Sequence, residues 1–150
     1  MKETRLFPKV LKLETFGHGP WINEPDLVVF LHAGVQCKVI RDENLGYLQC
    51  FCLIPLNHSW YKNNKTFQPE EFEAHGRIRE VILDNVFSNE EKANSKLLCM
   101  YFSCCQDDDL VPANDNFEHE TKTYRNVDYA VEKLKYLAEQ IVEAHEPHQM

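Results

Sequence analysis

Hydrophobic and polar positions along the chain divide it into short alternating runs followed by one long helical period. Residues 4–16, "TRLFPKVLKLETF", alternate loosely and predict an extended arm or edge strand, since Pro8 lacks the N–H a central strand needs. "GHGPWINEP" is a loop punctuated by Gly and Pro. "DLVVFLHAG" is short and β-branched, which favours a strand over a buried helical turn. "QCKVIRD", the turn signal "ENLG" and "YLQCFCLIPL" together predict a β-hairpin, with Leu48, Cys50, Cys52 and Ile54 on one face by period two.

Two more strands are expected. Phe72 to Leu83, "FEAHGRIREVIL", reads as a strand broken at His75-Gly76, where Gly suggests a bulge or a close backbone approach. "KLLCMYFSC" places Leu98, Met100, Phe102 and Cys104 on one side. A polar segment, "QDDDLVPANDNFEHETKTYR", follows and is long for a connection inside a compact domain. The chain closes with a helix: Asn126 is a plausible N-cap, Asp128 lies in the first turn, and apolar residues recur at Val127, Ala130, Val131, Leu134, Leu137, Ala138, Ile141 and Val142. The predicted class is α+β, a mostly antiparallel sheet with a long C-terminal amphipathic helix packed on one face. One domain is expected over 1–150: an N-terminal arm and loop (1–25), the sheet (26–104), the polar loop (105–125) and the helix (126–145).

Composition narrows the function classes. Length is enough for one domain with its own core. No apolar run is long enough to span a bilayer, and "MKETRLFPKV" lacks a secretory h-region, so a soluble cytoplasmic protein is expected. The formal charge of −8 argues against general nucleic-acid binding. Among the 6 cysteines, Cys50 and Cys52 share a strand and Cys104 and Cys105 are neighbours, so neither pair suits a disulfide. Free thiols packed in the core of a protein in a reducing compartment are the expectation.

Read in order, "RDENLGYLQCFCLIPLNHSWY", "HGRI", "FSCCQDDDLVP" and "YRNVDYAVEKLKYLAEQI" resemble a small protein family common in phage and prophage genomes. That family carries an Arg before a Cys-Gly-Tyr-Val run leading to Pro and His-Pro-x-Tyr. A His-Gly-Gly-Leu-Thr segment follows, then Phe-Asp-Cys-Ala-His-x-Gly-Asp-x-x-Pro, then Tyr-Arg and a helix with Leu-Ala-x-Gln-Leu. Arg41, Cys50, Pro55, His58, Tyr61, His75, Gly76, Phe102, Cys104, Asp109, Pro112, Tyr124, Arg125, Leu137, Ala138 and Gln140 fit this pattern over residues 37–142. Ser103 and Gln106 stand where the pattern has Asp and His, Asp108 where Gly is usual, and Arg77 at the second Gly of His-Gly-Gly. The family has no established activity, so the resemblance implies a set of polar positions and no reaction. Its departures imply that any family chemistry is weakened or altered here.

Those positions define the candidate site. Arg41, His58, His75, Asp109, Tyr124 and Arg125 would converge at strand ends near the long loop to bind a small polar ligand, with hydrolase-like chemistry as an extension. A divalent metal would use His58, His75, Asp109 and Cys104, but no Cys-x-x-Cys or His-Glu-x-x-His spacing supports it, and no cofactor is expected by default. A thiol nucleophile at Cys104 or Cys105, paired with His58 or His75, is disfavoured by the adjacent aspartates, which oppose a thiolate. Structural readings compete with each of these. The histidines would fix turns by bonding backbone, and an Arg125–Asp109 bridge would pin the helix start to the loop. Arg41 would pair with Asp109 or Glu43, and Asp107 and Asp108 would be surface charge. The alternative function is a non-enzymatic protein that modulates a host factor through acidic residues such as Glu70, Glu71, Glu73 and the 107–109 run.

Overall fold

The computed structural model describes residues 3–6, 16–54, 71–84, 96–115 and 121–144. The fold is α+β. Six strands, β1 (Glu3–Leu6), β2 (Leu27–His32), β3 (Val35–Arg41), β4 (Leu48–Leu53), β5 (Arg79–Asp84) and β6 (Lys96–Ser103), form one sheet in the order β1-β2-β3-β4-β6-β5. Every pairing is antiparallel. The long helix among the described residues, α1 (Val127–Glu143), packs on β2, β3 and β4. Among the described residues no helix is long and apolar enough to cross a membrane.

Local chemistry explains the strand connections. His32 faces Val35 across a two-residue turn in which Ala33 and Gly34 both have positive φ, 54° and 79°. This is the backbone sense that matches the twist of a tight hairpin. The β3–β4 turn is held by Asp42, whose Oδ2 accepts from the amides of Asn44 and Leu45 at 3.2 and 2.8 Å.

Period two then sorts the sheet. Val28 and Phe30 of β2, Val35, Cys37 and Val39 of β3, Leu48, Cys50 and Cys52 of β4, and Met100 and Phe102 of β6 are buried in one core cluster with the helix. From α1 come Val127, Ala130, Val131, Leu134, Leu137, Ala138 and Ile141. Most of a helix's stability in a protein comes from packing its apolar face, so this stripe is what holds it; each fully buried Leu or Ile contributes about 1.5–3 kcal/mol. Asn126 caps the helix through its side chain, which accepts from the Tyr129 amide at 2.8 Å.

Three expectations need correction. Val142 is 44% exposed, because it falls beyond the stripe that faces the sheet. Residues 71–78 are not strand: the strand begins at Arg79, and the alternation before it has another cause. Phe72 and Ala74 turn into the core, while the backbone of Glu73 is paired with a helix side chain, donating to Gln140 Oε1 at 2.9 Å and accepting from its Nε2 at 2.6 Å. The segment is a strap along the flank of α1. Finally, Cys104 is buried but Cys105 is exposed, so only the first packs in the core. All 6 cysteines are free.

Candidate functional site

The loop after β6 turns back on itself before entering the helix. Asp109 and Thr123 form an isolated parallel bridge, with Leu110 N donating to Thr123 O and Thr123 N to Asp108 O at 2.8 and 2.9 Å. This closes the polar loop at its base and brings Arg125 and the start of α1 beside Asp109. Asp107 and Asp108 are exposed, as expected of surface charge, whereas Asp109 is 1% exposed.

A buried carboxylate requires compensation, because the desolvation cost of an unpaired charge is several kcal/mol. Asp109 receives three donors. Arg125 Nε donates to Oδ1 at 2.8 Å, the Gln106 amide donates to Oδ2 at 2.9 Å, and His75 Nε2 lies 2.6 Å from Oδ2. Burial pushes the Asp109 carboxyl upward, but hydrogen bonds from His75, Arg125 and Gln106 outweigh it and hold the group below its ordinary range.

An ionised Asp109 settles which nitrogen of His75 carries its proton. The carboxylate only accepts, so Nε2 must be the N–H, and in the neutral ring Nδ1 is then an acceptor. Tyr129 Oη lies 2.7 Å from Nδ1 and donates to it. The result is a chain, Tyr129 to His75 to Asp109, with one member inside the protein and one at its surface. Arg125 also covers Tyr129, its guanidinium carbon 5.1 Å from the ring centroid.

Gly76 allows His75 this reach. Its φ is +61°, and a Cβ there would stand 2.5 Å from Gln106 Cγ. Gln106 is itself bound to Ser103, Nε2 donating to Ser103 O at 3.0 Å and to Ser103 Oγ at 3.4 Å. Ser103 and Gln106 are thus in contact with one another, beside Asp109.

Arg41 and Tyr124 belong to a second, neighbouring network. Arg41 is on the core face of β3, two residues on from Val39, and is 4% exposed. Its Nε donates to Asp26 at 2.8 Å and its Nη1 to Gly46 O and Tyr124 Oη, both at 2.8 Å. Nη2 donates to Glu24 and to Pro25 O at 3.3 and 3.5 Å. Every N–H of the guanidinium is engaged. Its carboxylate partners are Glu24 and Asp26, not Asp109 or Glu43. Tyr124 Oη donates to Glu24 Oε1 at 2.6 Å, and Glu24 Oε2 accepts from the Val127 amide at 2.8 Å. Glu24 therefore ties β3 to the first turn of α1, where a negative charge is favoured by the helix dipole. Arg41 and Tyr124 act in this scaffold.

The structure thus brings together His75, Asp109 and Arg125 and adds Tyr129, which the sequence did not single out; Gln106, marked in the sequence only as a departure from the family pattern, donates to Asp109, and Glu24, also not singled out, anchors the second network. His58 lies outside the described residues. Cys104 is buried beside Cys50, and Cys105 Sγ contacts Ser103 Oγ at 3.0 Å. Neither thiol meets a histidine among the described residues. No group of three or more His, Cys, Asp or Glu among them is arranged to hold a metal ion, so His75, Asp109 and Cys104 do not form one.

Comparison with known proteins finds no match: no family model, no curated protein and no solved structure matches the chain significantly.

Two outcomes follow from these networks. Arg41→Met removes the guanidinium that bridges Glu24 and Asp26 and is expected to cost about 3 kcal/mol, the low end for a broken buried pair because both carboxylates are partly exposed. Urea unfolding at neutral pH measures it, and a double variant with Glu24→Gln should recover part of the loss. For Asp109, a carboxyl held below its unfolded value contributes stability above the ordinary carboxylate range and loses it as pH falls through the folded value. The urea midpoint should accordingly fall on acidification, and Asp109→Asn should be less stable at neutral pH with a shallower acid dependence.

Proposed function

We propose that this chain is a small soluble protein of the phage type it resembles, binding a polar small ligand where His75, Tyr129 and Arg125 reach the surface. The observation that carries this reading is the position of His75. It is held between a buried, ionised carboxylate and a partly exposed phenol, so its tautomer and orientation are fixed while the outer end of the chain faces solvent. A base oriented by a third group is the arrangement that hydrolases use to move protons. The chemistry available is therefore acid–base, with His75 as the proton acceptor, Tyr129 as the outer donor and Asp109 as the positioning residue. Asp109 itself is sealed from ligand.

Free thiols fit the cytoplasmic, reducing location expected from sequence. Exposed Glu71, Asp107 and Asp108 fit solubility as well as they fit docking to a host protein, so the acidic-surface alternative gains no support from their placement.

The test is native mass spectrometry of the full chain purified without chelator, followed by a thermal-shift screen against polar metabolites. A co-purified molecule or a compound that raises Tm is expected, with the effect lost in both His75→Ala and Tyr129→Phe. A clean apo mass with no stabilising compound, or stabilisation indifferent to both substitutions, contradicts the reading.

A further inference from the structure

The surroundings of Tyr129 say which class of ligand this site would take; this deepens the ligand-site reading and rests on it. Arg125 spends only Nε on Asp109. Its terminal nitrogens have no other partner among the described residues, and its side chain is 24% exposed. Lys133, one helical turn further along, lies with Nζ 5.4 Å from the Tyr129 ring centroid and forms no ion pair with a described carboxylate. Among the described residues the carboxylate directly beneath is Asp109, which is buried and already neutralised, so it does not oppose an anion at the surface.

Protonation of His75 changes what the rim offers. A second proton, taken from solvent at Nδ1, turns that nitrogen from acceptor to donor. Tyr129 Oη then accepts from Nδ1–H, and the phenol proton rotates outward. The surface then presents the Tyr129 hydroxyl proton, the free Arg125 N–H groups and the Lys133 ammonium, over an added positive charge. We propose that the His75–Tyr129–Arg125 rim binds an oxyanion, and that binding is coupled to uptake of one proton at His75 Nδ1.

The groups facing His75 are consistent with this coupling. The loop contributes Asp109 and the neutral side chain of Gln106, and the helix contributes Tyr129 and Arg125. On its own strap, Glu73 is turned to Tyr136 and Gln140, and Arg77 is exposed. Asp107 and Asp108, exposed on the loop, weaken attraction at a distance, an effect screened beyond about 8–10 Å at ordinary salt.

Sulfate is the probe, because its charge is constant where imidazole titrates. The full chain, labelled with 15N, is titrated with sulfate at constant ionic strength against a chloride control, with the His75 ring signals as readout. A saturable response is expected where the ring signals report His75 doubly protonated, roughly tenfold weaker where they report it singly protonated, and also weakened in Lys133→Gln. Acetate and inorganic phosphate under the same acidic condition distinguish a carboxylate from a phosphate ligand. Absence of saturation with all three anions, equal affinity in both protonation states, or indifference to Lys133→Gln overturns the proposal. A neutral metabolite found in the thermal-shift screen, with no anion response, would discard the oxyanion and keep the ligand site.

Discussion

The buried charge of Asp109 is the constraint around which this end of the molecule is organised. A carboxylate with 1% exposure is stable only if its oxygens are filled by donors. Those donors come from three separate places: the strap at His75, the loop at Gln106 and the helix approach at Arg125. Satisfying one anion thus fixes the strap, closes the loop and sets the start of α1. The same requirement selects the His75 tautomer and, through it, the direction of the Tyr129 hydroxyl. Scaffold and candidate chemistry are two consequences of one electrostatic demand.

Glu24 plays the matching part on the other side of the helix start. It accepts from Arg41, Tyr124 and the Val127 amide, linking the end of β3 to the first turn of α1. Tyr124 and Arg125 are adjacent in sequence yet serve different anions, Glu24 and Asp109. That division explains why the candidate set separates. Among the described candidates, Arg41 and Tyr124 are consumed in holding the frame, whereas His75 and Arg125, joined by Tyr129, leave hydrogen-bonding atoms for a ligand.

Much of this was legible in the residue pattern. Period two in "YLQCFCLIPL" and the helical spacing from Val127 to Ile141 report burial directly, so the hairpin, the stripe on α1 and the Asn126 cap could be read without coordinates. The Arg125–Asp109 pairing was readable as one of two options, because the two flank the same loop. Other features were hidden for physical reasons. Residues 72–78 alternate because Phe72 and Ala74 face the core from a strap on the helix flank, a pattern that period two cannot distinguish from a strand. Glu24 lies in a loop whose local sequence does not mark it, and its partners are distant in the chain. Tyr129 was masked by its place on the edge of the apolar stripe, although its spacing of one turn from both Arg125 and Lys133 was a signal available to be used.

The central claim is that Asp109, buried and ionised, fixes the proton of His75. The most direct measurement is the pair of 15N chemical shifts of the His75 ring at neutral pH in the full-length protein. A protonated Nε2 and a bare, hydrogen-bond-accepting Nδ1 are expected, with the pattern lost in Asp109→Asn. A ring protonated at Nδ1, or one exchanging freely between tautomers, would contradict the account.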